Sequence, residues 1–463
     1  MRYLCCKGII QYKIKEYTMY KLSRFILLVL LIFGSTRVSF AALTIDITQG
    51  IDGALPIAVV PFKWTGTAPT QGASIDAPEN IAAIVASDLR RSGRFAPIPT
   101  SDLVGRPSHG SEVNYTAWRA LGVDNLIVGH IQPLADGTYE VQFQLLDMYK
   151  AEQLVGYKIR SRRSNLRRTA HQISDLIYKA LMGVKGAFDT NITYVTVTKN
   201  RRNEKVYRLA IADSDGYNEK IILETKSPLM SPSWSPNGLQ LAYVSFSRGR
   251  PEVYVQSILT GQAKRVASFR GINGAPSWSP DGKKLALTLS KDGNAEIYIY
   301  DLSRGTTRRV TRNSAIDTEP VWLPDASAII FTSDRGNGPQ LYQIEVNEQG
   351  ATGRPKRLTF EGSYNARASV SPDGKFIAMV HRIEGSYRIA VLERETGYLR
   401  VLTESRLDES PSFAPNGSMI IYATEYKNQG VLAAVSVDGR AKQRLQLSRG
   451  DVREPAWSFF KQK

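Results

Sequence analysis

The sequence predicts an α/β N-terminal domain followed by an all-β, six-bladed β-propeller that is closed by its own C-terminal strand. A recurring turn block, a second marker with the same period, and a set of three strands lacking a first member carry this reading. The block has the form Pro-x-Trp-Ser-Pro-Asp-Gly. It stands at 232–238 (PSWSPNG), 276–282 (PSWSPDG), 320–326 (PVWLPDA), 368–374 (ASVSPDG), 411–417 (PSFAPNG) and, shortened, at 455–458 (PAWS). Its central residues, at 234, 278, 322, 370, 413 and 457, are spaced by 44, 44, 48, 43 and 44 residues. Such a period is the length of one four-stranded sheet and marks a propeller.

Each part of the block has a structural task. The bulky residue needs a packed surface, the following proline stops the ladder, and Asp-Gly or Asn-Gly supplies a tight turn. Second strands follow, as at 241–246 and 328–331, and then third strands with an alternating face, as at 296–300 and 340–344. Fourth strands carry Arg265-Val266, Arg309-Val310, Arg357-Leu358, Arg400-Val401 and Arg444-Leu445, whose steps of 44, 48, 43 and 44 repeat those of the block. The strands predicted at 192–198, 206–212 and 220–224 have no first strand ahead of them. The strand expected at 456–459 should complete their sheet and latch the ring, since closure removes exposed edges.

Ahead of the propeller, 55–62 (LPIAVVPF) fits a buried strand. A helix follows from Asp76 as N-cap, with Pro78 in its first turn, Ile81, Ile84, Val85 and Leu89 on one face, and Gly93 at its end. A short helix at 115–121 leads to strands at 125–131, 139–148 and 153–161, with a turn at Asp136-Gly137. A helix over 165–184 presents Ile173, Ile177, Leu181 and Val184 as its buried stripe. The expected division is 1–41 upstream segment and signal peptide, 42–53 flexible segment, 54–188 α/β domain and 189–463 propeller, the two domains being docked across a short joint.

The apolar run 25–33 (FILLVLLIF), preceded by Lys21 and Arg24 and followed by Ser39-Phe40-Ala41, reads as a secretory signal starting at Met19 and cleaved after Ala41. An uncleaved anchor is the alternative. Cleavage would remove Cys5 and Cys6 and leave a cysteine-free protein, soluble in an exported compartment and not membrane-spanning. The first 41 residues hold seven Lys/Arg and one Glu, so of the net charge of +17 about +11 belongs to the remainder. That balance favours acidic partners. The densest basic run, Arg160, Arg162, Arg163, Arg167 and Arg168, lacks base-stacking aromatics and reads as a solvated helix start, with no nucleic-acid partner.

Catalytic signatures are missing. His109, His130, His171 and His381 have no ligand spacing, and there is no Gly-x-Ser-x-Gly, His-Glu-x-x-His, P-loop or Gly-x-Gly-x-x-Gly. No enzyme activity and no cofactor are expected. The alternative is a channel-metal hydrolase or lactonase that would use Asp317, Glu319, Asp408, Glu409 and Glu454.

The WD40-like repeat, together with IAVVPF at 57–62, DLRRSGRF at 88–95, NGAP at 273–276 and TEP at 318–320, resembles the TolB family of the Tol-Pal cell-envelope system over essentially the whole chain after the signal. The resemblance implies a non-catalytic periplasmic scaffold linked to outer-membrane integrity and to constriction at cell division. Its partners would be the lipoprotein Pal at the propeller mouth and TolA at the mature N-terminus, with other outer-membrane lipoproteins or porins as further candidates. The Pal-facing positions would be Ile272, Asn273, Gly274, Ala275, Asp317, Thr318 and Glu319 and, by repeat equivalence, Asn365, Ala366, Arg367, Asp408, Glu409, Arg453 and Glu454. The TolA segment would be Leu43, Thr44, Ile45, Asp46, Ile47 and Thr48, whose alternation suits addition to a partner's sheet edge. Folding back onto its own domain is the rival arrangement.

Overall fold

Strand Asp451–Trp457, from the far end of the chain, lies antiparallel beside Asn191–Lys199 and closes the ring. The computed structural model describes residues 44–49, 53–66, 79–446 and 450–461. Blade 1 is the sheet of Lys220–Thr225, Lys205–Asp213, Asn191–Lys199 and Asp451–Trp457, in that order. The predicted closure therefore holds, but the closing strand comes earlier than the expected 456–459. The tryptophan ends each first strand, and the Ser-Pro that follows it belongs to the turn.

Blades 2 to 6 begin with Leu229–Trp234, Asn273–Trp278, Asp317–Trp322, Asn365–Val370 and Asp408–Phe413, and each continues through three further antiparallel strands. The block residues join neighbouring blades. The indole N–H of Trp278 donates to Ser233 O at 3.1 Å, and that of Trp234 donates to Ala456 O at 3.1 Å. In the turns, Ser235 and Ser279 donate to Asn237 and Asp281 at 2.7 and 2.6 Å, and the next glycine takes a left-handed conformation (φ 69° at Gly238, 70° at Gly282). The third block places Ala326 there, at φ 60°, which costs a residue with a Cβ roughly 1–2 kcal/mol.

Blade 6 has a fifth strand. Thr44–Gln49 pairs antiparallel with Lys442–Gln446, Ile45 opposite Leu445. The expectation of a flexible segment is thus corrected: an outer edge with open backbone groups is covered by the chain's own N-terminal strand.

The α/β part is a mixed sheet in which Leu55–Val59 runs parallel to Phe95–Pro97 and to Asn125–Pro133. Tyr139–Asp147 and Glu152–Ser161 continue it antiparallel. Helices Ile81–Arg91 and Leu166–Met182 pack on one face around Ile57, Leu89, Phe143 and Ile173, and the short helix Tyr115–Ala120 covers the other through Trp118. The first helix starts later than expected, with Asn80 as the N-cap accepting from Ala83 N at 3.1 Å; Asp76 and Pro78 lie outside the described residues. Gly183 stops the third helix in a left-handed turn, leaving Val184 exposed rather than in the stripe.

Candidate functional site: the open mouth of the propeller

The two ends of the channel differ in kind. One end meets the α/β part: Trp457 Nε1 donates to Thr190 at 2.9 Å and Asn416 to Lys185 O at 3.0 Å. Beside them lies a buried charge network. Asp88 accepts from Arg91 at 2.9 Å, His171 at 2.7 Å and Ser174 at 2.8 Å, while Arg91 also donates to Ser214 O at 3.0 Å. Arg167 pairs with Asp215, and Arg168 and Lys461 both reach Asp189, at 3.1 and 2.9 Å. The basic run is therefore not a solvated face throughout: Arg167 and Arg168 fasten the helix to blade 1.

Electrostatics follow from that packing. Burial opposes ionisation of Asp88, yet the charges of His171 and Arg91 hold its carboxyl below the usual range. His171 is raised, the attraction of Asp88 outweighing burial. Asp175, one helical turn on, has no cation to offset burial and is pushed up to about 7, although it accepts from Phe188 N at 2.8 Å. His171, Asp213 and Asp215 offer atoms within 4.8 Å of one another, a spacing a metal could use. Arg167 and Lys461 already neutralise the two carboxylates, so the trio reads as a salt-linked interface.

The other end of the channel is open and carries the predicted site. Each first strand contains a bulge next to the block proline, and the bulged residue has positive φ: Ser231 49°, Ala275 46°, Glu319 55°, Arg367 55°, Ser410 53° and Glu454 53°. Six equivalent non-glycine residues in this conformation mark a built ring, because bulges re-aim side chains. Arg367 Nε meets Glu319 at 3.1 Å and its Nη1 meets Glu454 at 3.2 Å, with Ser410 as a third partner. Ser231 N donates to Glu454 at 3.2 Å. One guanidinium from blade 5 thus joins blades 4, 6 and 1. Burial opposes its charge, but Glu454, Glu319 and Glu409 raise its pKa further.

This arrangement corrects the channel-metal alternative. Glu319 and Glu454 hold an internal cation, Asp317 is taken by Arg335 at 2.6 and 2.8 Å, and Asp408 by Thr403 at 2.5 Å. Burial pushes the carboxyls of Asp317 and Asp408 above the usual range.

Among the predicted Pal-facing residues, Ile272, Glu409 and Arg453 are exposed at the mouth, and Gly274, Ala275, Thr318, Glu319, Arg367 and Glu454 are half-buried around the channel. Asn273, Asp317, Asn365, Ala366 and Asp408 are buried and cannot touch a partner unless their strands open. They begin first strands, and their side chains hold the preceding loops: Asn273 accepts from Phe269 N at 2.8 Å and Asn365 donates to Glu361 O at 2.7 Å.

Sequence reasoning passed over the residue just ahead of those strands. Ile272, Ile316, Tyr364 and Leu407 occupy one repeat position, at steps of 44, 48 and 43 residues. With Phe360 they form an apolar crescent over blades 3 to 6. Phe360 is 74% exposed, Ile316 53%, Ile272 48% and Leu407 39%. The signal was the same repeat arithmetic applied one residue upstream.

The TolB amino-terminal domain family matches residues 43–154, and the TolB beta propeller domain family matches 178–461. The chain belongs to the TolB family. It is 56% identical over 419 residues to the Tol-Pal system protein TolB of Nitrosococcus oceani, covering 90% of this chain and 94% of that protein. It is 53% identical over 423 residues to the protein of the same description from Xanthomonas campestris pv. campestris, covering 90% and 93%. The crystal structure of TolB from Acinetobacter baumannii superposes with a TM-score of 0.81 at 42% identity, covering 90% of this chain and 99% of that one. TolB-family membership makes this a Tol-Pal envelope protein and not an enzyme. Among the described residues, no helix is long and apolar enough to cross a membrane.

Proposed function

We propose that this TolB-family protein is a periplasmic scaffold, exported by a cleaved signal peptide, that holds the lipoprotein Pal over the open mouth of its propeller. Through TolA it would contribute to outer-membrane integrity and to envelope constriction at division. The observation that carries the proposal is the exposed crescent of Ile272, Ile316, Phe360 and Leu407, because contiguous apolar surface on a folded protein marks a docking site. Glu409 and Arg453 form the polar rim on the neighbouring blades. Arg367, Glu319 and Glu454 shape the floor of the site rather than offering free charges, since they satisfy one another.

TolA would take the N-terminal segment Leu43 to Thr48 by strand addition. Thr44–Gln49 occupies its own blade edge, so the same backbone groups must leave Lys442–Gln446 before they serve a partner. Calorimetric titration with the soluble domain of Pal tests the first part: Ile316→Asp should abolish binding while the thermal midpoint stays put, and undiminished affinity would remove the crescent from the interface. For the second part, a protein lacking residues 43–48 that still captured TolA in a pulldown would move that contact elsewhere.

A further inference from the structure

The crescent covers only part of the open mouth, and the remaining arc, over blades 1 and 2, has the opposite character. The hairpin joining Asn191–Lys199 to Lys205–Asp213 carries Lys199, Arg201, Arg202 and Lys205, all exposed. Its one acidic residue, Glu204, is taken by Lys226 at 2.9 Å and Asn200 at 2.9 Å. Among the described residues, the side chains of Lys199, Arg201, Arg202 and Lys205 meet no carboxylate. This is unlike the cations of the opposite face, where Arg91, Arg167, Arg168 and Lys461 are all paired. On blade 2, Arg248 and Arg270 extend the exposed positive surface.

A pocket of about 330 Å³ opens at the foot of the hairpin, with Lys199, Lys205 and Gln429 on its wall. Asp451 is also there, but it is engaged by Gly430 N at 2.9 Å and lies 3.8 Å from Arg453. Unpaired charge of one sign on a short, rigid turn keeps a standing electrostatic cost, which an opposite surface relieves. Apolar groups are not exposed on this hairpin, so it lacks the anchors that seat a surface in a lipid interface.

We propose that the hairpin over residues 199–205, continued by Arg248 and Arg270, is an electrostatic docking arc for an acidic surface on the protein that covers the crescent. The inference rests on the reading of the mouth given above and adds to it a division of labour. Apolar contacts on blades 3 to 6 set how long the complex lasts, and the cationic arc on blades 1 and 2 sets how fast it forms. Charge complementarity acts mainly on association, and salt screens it.

The test is stopped-flow association of the soluble domain of Pal from the same organism, at low and high salt. It compares the native protein, the triple variant Arg201→Glu, Arg202→Glu, Lys205→Glu, and Ile316→Asp. The triple variant should associate about ten-fold more slowly at low salt and lose most of the salt dependence, with dissociation unchanged. Its thermal midpoint should also be unchanged, since the three side chains hold nothing in the fold. A native association rate and salt slope in the triple variant would overturn the arc, whatever Ile316→Asp does. A binding-competent Ile316→Asp would instead overturn the reading of the crescent, and the rate measurement on the triple variant would still decide the arc. If the triple variant keeps the native rate with Pal but no longer sediments with anionic vesicles or with cell-wall sacculi, the arc serves the envelope surface and the proposal fails.

Discussion

The two faces of the propeller use charge in opposite ways. On the face toward the α/β part, Arg91, Arg167, Arg168, His171 and Lys461 are tied to Asp88, Asp189 and Asp215. On the open face, four cations of one hairpin stand beside an exposed apolar crescent with no partner among the described residues. A buried charge left unpaired costs several kcal/mol, whereas an exposed one costs little. Saturated charge therefore marks a contact the fold has already made, and unsaturated charge beside apolar surface marks one still to be made. Substitutions on the first face should be read in stability, and on the second in binding.

The ring common to both faces gives the largest expected effect. Truncation after Gly450 removes Asp451–Trp457 and leaves Asn191–Lys199 without a neighbour. The loss should be comparable with the whole stability of a domain, about 5–15 kcal/mol. Calorimetry should then show no cooperative propeller transition; a transition at the native midpoint would mean that the ring is held by other contacts.

Next comes Asp88→Ala, which strands two buried cations at once. We expect a loss of about 3–5 kcal/mol in urea unfolding, and a loss below 1 kcal/mol would put the closed face in the same class as the open one.

The pH dependence should sharpen the same contrast. Asp175, raised to about 7, binds its proton more tightly folded than unfolded, so stability falls as pH rises from near 4 to 7. His171 is also raised, and the stability it contributes is lost as pH climbs through its folded value. Both act in one direction between pH 6 and 8, by at most roughly 1.4 kcal/mol per group per pH unit. Asp175→Asn should flatten the curve and stabilise the protein at pH 8; an unchanged slope would show that solvent reaches the carboxyl.

The smallest effect on stability belongs to the open face. Phe360→Ala should stay within about 0.5 kcal/mol of the native protein while weakening Pal capture, and chemical denaturation beside calorimetric titration separates the two.

Repeats were the most legible part of the sequence. The 44-residue steps fixed blade number, strand order and the latch, because each block repeats one local requirement, a packed ring followed by a tight turn. The same arithmetic misassigned Asn273, Asp317, Asn365 and Asp408 to the rim. They recur at that interval because they tie loops inside each blade, and a period reports equivalence, not exposure. Arg367 was readable only as one more rim residue, since its bond to Glu454 spans 87 positions and depends on where the bulge aims it. Interface arginines such as Arg167 looked like a solvated run because their acidic partners lie in another part of the chain.

The seam also bears on how the molecule can be made. Strand Asn191–Lys199 leaves the ribosome some 250 residues before the strand that must lie beside it. Five blades can pair locally as they emerge, but blade 1 waits for the last segment of the chain. Until translation is finished the propeller is an open arc with a sticky edge at each end. A nascent chain in that condition remains loose enough to be threaded, and it becomes hard to unfold only once its final strand has arrived.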